Sequence, residues 1–284
     1  MGSLRTDRGR ILEALEDRLR PLDFVDAMWE GGAVSFGRLD PWSDIDLYVV
    51  ADDARVPDAL KAIEETLSRL SPIQQRYVVP HPPESGIAQA FYRLEDAGPF
   101  LLVDLAVLKR TAPDKYLEPR IHGPAVVAFD KTGVTQPPPF DAEGFVKQLE
   151  VRLARLFARM EMFFPFLEKE IRRGHALDAL ATYRWLIFDS LVEVLRMKHG
   201  PAHYDFRDRY LYPELPPDVV RRLETLAFVG DPGAVAQKAS EALEWFRETA
   251  AGVDPAEVRA ALASSGERGR REVPPRDGRA EGGR

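Results

Sequence analysis

A chain of 284 residues, 45% of them hydrophobic, has the length and apolar content to bury one large core or two modest ones. It contains no cysteine, which excludes disulfide scaffolds and thiolate metal sites and leaves hard oxygen ligands as the available metal chemistry. A net charge of −7 lacks the basic excess of a general nucleic-acid binder, no apolar run is long enough to span a bilayer, and the start MGSLRTDRGR is too charged for a secretory signal, so a cytoplasmic protein with no membrane partner is expected.

Residues 4–22 predict an amphipathic helix, with Ile11, Leu12, Leu15 and Leu19 at helical spacing. A short strand is expected over 24–30, ended by Gly31 and Gly32. Residues 33–42 read as a short turn or helix followed by a loop, since Gly37, Asp40 and Pro41 break the pattern. DIDLYVV, 44–50, is a strand by its β-branched and aromatic content. A helix is predicted over 56–70, with Leu60, Ile63, Leu67 and Leu70 on one stripe. Further strands are expected at 73–79, 88–94 and 100–108, the first two separated by the proline-rich loop HPPESG, and a last strand at 125–129.

The character changes at QPPPFDAEGF, 136–145, a stiff linker in which Asp141 is a candidate N-cap. Helices are predicted over 146–173, 176–198, 217–228 and 233–250, with a short one at 254–263. Pro165 is expected to kink or end the first, and Gly174 to cap it. Gly200-Pro201 stops the second. The fold class is therefore α+β: a mixed β-sheet with flanking helices over 1–137, then an all-α helical bundle over 138–263. A tail rich in Gly, Pro, Arg and Glu, 264–284, is expected to be disordered.

Chemistry concentrates in WEGGAVSFGRLDPWSDIDLYVV, residues 29–50. Asp44 and Asp46 flank Ile45 on a strand, so both carboxylates project to one side while Ile45 enters the core. Carboxylates that close raise each other's pKa unless a cation lies between them, and Mg²⁺ is the natural hard cation. Gly31-Gly32 lets the backbone approach a ligand, and the N–H groups of such a turn suit phosphate, with Ser35 as a further hydroxyl donor. Alone, two glycines are simply a turn and Asp-x-Asp a solvated strand start; their order along the chain makes the case. Asp104 lies in the apolar run FLLVDLAVL, where a carboxylate must be paired, protonated or metal-bound. A buried pair with an arginine, or a cap on a backbone N–H, is the plain alternative.

GGAVSFGRLDPWSDIDLYVV resembles the signature of the nucleotidyltransferase superfamily, which includes DNA polymerase beta, kanamycin nucleotidyltransferase and the aminoglycoside adenylyltransferases. Gly31, Gly32 and Gly37 match its glycines, Ser43 to Leu47 its paired-Asp core, and Asp104 its third acid. Ala33 departs from the serine usual after the glycine pair. The resemblance implies an adenylyltransferase-type enzyme that binds ATP or another nucleoside triphosphate near Gly31, Gly32, Ser35 and Ser43. It implies two Mg²⁺ ions, or Mn²⁺ in their place, held by Asp44, Asp46 and Asp104, which would also be the catalytic residues. A nucleoside monophosphate would pass to a hydroxyl of a small acceptor such as an aminoglycoside. The same chemistry on a tRNA or protein acceptor, and a non-catalytic nucleotide-binding module, are the alternatives.

The segment RMKHGPAHYDFRDRYLYPEL, 196–215, is dense in charged and aromatic residues; Arg207, Arg209 and Tyr210 are candidate phosphate or acceptor contacts, although an ordinary connector explains the composition equally. Arg196 and His203 are faintly similar in spacing to HEPN-type RNases, whose polar neighbour of the arginine is missing here. Trp185, Phe188, Leu191, Phe163 and Phe164 read as packing residues, Glu161, Glu168 and Glu170 as a solvated helix face, and His81 and His122 as loop histidines without a ligand partner.

Overall fold

The computed structural model describes residues 6–271, with side chains to 264. The chain forms two compact units, one within Met1–Pro139 and one of Phe140–Gly266.

In the first unit, α1 (Arg8–Leu19) opens on Asp7, whose carboxylate accepts the Arg10 N–H at 2.9 Å and so satisfies one free donor of the first turn. The expected start at residue 4 lies outside the described residues. Next come β1 (Val25–Glu30), a 3₁₀ turn (Gly32–Phe36), β2 (Ile45–Ala51) and α2 (Val56–Leu70). The hairpin β3 (Ile73–Val79) and β4 (Ile87–Leu94) precedes β5 (Leu102–Lys109), short α3 (Pro119–His122) and β6 (Val126–Asp130). The sheet has the order β3-β4-β5-β2-β1-β6. β2 and β5 pair in parallel, and the other pairings are antiparallel.

Alternation along the strands sorts side chains between two faces. Ile45, Leu47 and Val49 of β2 and Val103, Leu105 and Val107 of β5 pack with Ile11, Leu15 and Leu19 of α1 and Ala59, Ile63 and Leu67 of α2. On the opposite face a smaller cluster joins Trp29, Val50, Ala106 and Leu108 to Ala112 and Leu117. Position parity puts Asp46 and Asp104 on this second face, away from the helices.

The second unit is helical: α4 (Ala142–Arg173), α5 (Ala176–Thr182), a π-helical stretch (Tyr183–Phe188), α6 (Asp189–His199), short α7 (Leu211–Glu214), α8 (Pro217–Ala227), α9 (Val235–Ala251) and α10 (Pro255–Arg271). α4 does not end at Pro165. Pro165 and Glu161 are both exposed, so water can serve the carbonyl that loses its N–H partner, while Met160 and Leu167 anchor the helix on either side. Gly174 caps it in the left-handed region, at φ 71°. The expected single helix over 176–198 contains a π stretch that turns Tyr183, Leu186, Ile187 and Phe188 all into the core, and the Tyr183 hydroxyl donates to the Leu226 carbonyl at 2.9 Å. α10 runs to Arg271, past the expected end at 263; the remainder of the expected disordered tail, from 272, lies outside the described residues. No helix among the described residues is long and apolar enough to cross a membrane.

Candidate active site

The parallel pairing of β2 and β5 sets Asp46 directly opposite Asp104. Opposed residues of neighbouring strands lie about 4.8 Å apart along the hydrogen-bonding direction and share a face. Asp44 precedes β2 at the same end of the sheet, and its negative charge helps raise the Asp104 pKa. Burial is the larger cause of that rise, opposed by a hydrogen bond from Gln89 and by His81.

The glycine turn packs against this pair. The Gly31 N–H donates to the Asp46 carbonyl at 2.9 Å, tying the turn to β2. Gly32 takes φ +63°, and a Cβ there would lie 1.8 Å from Asp46 Oδ2. Position 32 therefore needs glycine twice, for its left-handed backbone and for the space of a carboxylate. A Cβ on Gly31 would meet the Tyr48 ring at 2.9 Å.

The two serines expected as nucleotide contacts sit in different surroundings. Ser35 is buried, its Oγ without a hydrogen-bond partner, and it packs so tightly on Gly123 that a Cβ there would lie 2.6 Å from the Ser35 Cβ. Ser43 Oγ donates to Asp40 Oδ1 at 2.8 Å and accepts the Asp40 N–H at 3.0 Å, closing the loop that leads into Asp44.

Four side chains that no sequence pattern groups together complete the site. Arg8, on the first turn of α1, ion-pairs with buried Glu30 and donates to the Asp44 carbonyl at 2.5 Å. Burial lowers the Arg8 pKa, opposed by the charges of Asp46 and Asp44, so its guanidinium lies within their field. Glu30, an acid in a fully buried strand, was the one readable signal, because it requires a cation. Gln89 Nε2 donates to Asp104 Oδ1 at 2.6 Å, and Gln89 Oε1 lies 2.8 Å from His81 Nε2. His81, read from sequence only as a loop histidine, is thereby linked to the site. Beside the Ser43 loop opens a cavity of about 640 Å³ lined by Arg8, Asp7, Asp40, Leu39, Phe100 and Leu101, among others.

The acids suit divalent cations by this structure's own features: a desolvated carboxylate, a second one opposite it, a third beside them, and a glycine cradle against one of them. Asp44, Asp46 and Asp104 do not place ligand atoms all within 4.8 Å of one another; among the described residues the set that does is Glu170, His175 and Asp178 of the second unit. Three acids need not all ligate a single ion to bind divalent cations, because bound water can complete the shell. Glu170 is already engaged by Arg173 at 2.6 Å and His175 at 2.8 Å around the Gly174 cap.

In the second unit, Arg196 is fully buried. It donates to the carbonyls of Arg207 and Arg209 and pairs with Glu214, which also meets His203 at 3.1 Å. Arg196 and His203 are joined through one carboxylate, so their spacing serves the loop's architecture, in which Arg207 and Tyr210 hold positive φ. Trp185 is 39% exposed, against the packing role expected for it, with Phe163 at its edge and Arg159 over its ring.

No family model matches the chain, and no curated protein matches it. Fold and site define a chain with a mixed α/β sheet unit, carrying an acid pair on adjacent parallel strands, followed by a helical region.

Proposed function

We propose that the chain is a metal-dependent nucleotidyltransferase that moves a nucleoside monophosphate from ATP, or another nucleoside triphosphate, to a hydroxyl of a small acceptor. The observation that carries the reading is the register of Asp46 against Asp104 on parallel strands, with Asp44 beside them and the Gly31-Gly32 turn pressed on Asp46. The sequence signature over residues 31–50 points the same way.

Asp44, Asp46 and Asp104 would hold Mg²⁺ or Mn²⁺, which when bound neutralises triphosphate charge and polarises the reacting oxygens. Asp104 has the burial and raised pKa of a group able to take the acceptor hydroxyl's proton. Gly32 keeps the backbone close to Asp46, leaving its carboxylate a fixed position. Arg8 balances the acids and anchors the start of α1 to the Asp44 carbonyl. The cavity beside Ser43 is lined by Asp7, Asp40 and Arg8 together with Leu39, Phe100 and Leu101, a mixed polar and apolar wall that suits a hydroxyl-bearing acceptor such as an aminoglycoside.

Purified protein incubated with Mg²⁺, α-labelled ATP and a panel of aminoglycosides tests this. A labelled drug with release of pyrophosphate is expected. Label on tRNA or protein instead would replace the acceptor while keeping the chemistry, and nucleotide binding without any transfer would leave a non-catalytic nucleotide-binding module.

A further inference from the structure

We propose that Gln89 and His81 are positioning residues for Asp104, a relay that holds its carboxylate in one orientation for the metal. The inference rests on the metal reading of Asp104 given above. Three side chains from consecutive parts of the sheet form one chain of hydrogen bonds. His81 belongs to the loop between β3 and β4, Gln89 to β4 and Asp104 to β5. Gln89 Nε2 donates to Asp104 Oδ1 at 2.6 Å, and Gln89 Oε1 sits 2.8 Å from His81 Nε2.

The chemistry allows one arrangement while Asp104 is ionised. A carboxylate accepts only, so Gln89 must turn its NH₂ to Asp104 and its carbonyl to His81. A carbonyl accepts only, so His81 must carry its proton on Nε2. That proton is present in the neutral Nε2–H tautomer and in the imidazolium alike. The Gln89 bond takes one of the carboxylate's several lone-pair sites, so Asp104 can ligate a cation and keep its donor, whereas turning the carboxylate away would break that bond. The relay's outer end is stiff: Pro80, Pro82 and Pro83 flank His81, the Ser85 hydroxyl donates to the Pro82 carbonyl at 2.7 Å, and the Lys109 N–H donates to the Gly86 carbonyl at 2.8 Å. Partners of this kind typically change metal affinity about 10–100-fold when removed.

Mn²⁺ titration followed by electron paramagnetic resonance, with the unreactive α,β-methylene analogue of ATP present, reads the effect without turnover. Gln89→Leu should weaken Mn²⁺ binding about 10-fold or more, His81→Phe by less. The double variant should be no worse than Gln89→Leu alone, because His81 acts through Gln89. His81→Gln, which keeps an N–H donor, should restore most of the affinity, a rescue that general loosening of the fold would not give. Wild-type affinity in both single variants, or additive losses in the double, would overturn the relay while an Asp104→Asn loss kept the metal site. Wild-type affinity in Asp104→Asn would overturn the metal reading and the relay together. If Gln89→Leu fails to fold, His81→Phe and His81→Gln decide: loss and rescue support the relay, no loss removes it.

Discussion

Gly32 and Asp46 occupy complementary space: a methyl group on the first would overlap Oδ2 of the second, at 1.8 Å. Gly32→Ala should therefore both strain a left-handed backbone, at about 1–2 kcal/mol, and displace the carboxylate. The expected result is a lower melting temperature together with Mn²⁺ binding weakened beyond what the stability loss explains. Gly37→Ala is the control, since Gly37 also has positive φ, 64°, but nothing lies within 4 Å of its added Cβ. It should melt lower and bind Mn²⁺ normally.

Asp46→Asn keeps the shape of the side chain and removes its charge. Transfer from labelled ATP should fall below detection while circular dichroism and melting temperature stay close to wild type. Full transfer in this variant would remove Asp46 from the chemistry.

Arg8 and Glu30 form a partly buried ion pair at the edge of the acid cluster, with side-chain exposures of 22% and 8%. Arg8→Met should cost about 2 kcal/mol by urea denaturation, less than a fully buried pair because Arg8 reaches water. Adding Glu30→Gln should recover most of that loss. The same Arg8→Met change removes a cation from the field of Asp46 and Asp44. Mn²⁺ should then bind several-fold tighter at low ionic strength, an opposite sign to the stability effect that separates the two roles.

Burial and Asp44 raise the Asp104 pKa. The folded protein thus holds this proton more tightly than the unfolded chain, so the group contributes most below the unfolded value of about 3.9 and progressively less as pH rises through the folded one. Asp104→Asn should raise the melting temperature of the metal-free protein at pH 8, with the gap to wild type closing toward pH 4. Mg²⁺ with the ATP analogue should stabilise wild type and not the variant, because only ligand bound to the folded state shifts the transition.

Arg196 is fully buried and holds the carbonyls of Arg207 and Arg209 as well as Glu214. Arg196→Met should cost about 3–5 kcal/mol, leaving Glu214 buried without it. Arg196→Lys should recover little, since an ammonium cannot reproduce the planar fork that reaches three acceptors. Chemical denaturation of the three proteins measures both.

Much of the architecture was legible in local pattern. Helical spacing over residues 4–22 announced the helix found at 8–19, the β-branched and aromatic content of 44–50 announced the strand found at 45–51, and Gly31-Gly32 before Asp-x-Asp announced a turn beside acids. Ser35 shows the limit: in a list of residues it is a free hydroxyl, but the fold turns it onto Gly123. Pro165 shows another, since its effect depends on whether the freed carbonyl meets solvent.

The sequence by itself determined the α+β order, the paired acids and the need of Asp104 for a partner, because periodicity and the desolvation cost of a charge are properties of a short stretch. Only the tertiary structure decided that β5 lies parallel to β2 in the register joining Asp46 to Asp104, that Arg8 answers Glu30, and that His81 reaches Asp104 through Gln89. Strand register between distant segments is chosen by the packing of both sheet faces at once, and no local window of residues contains that information.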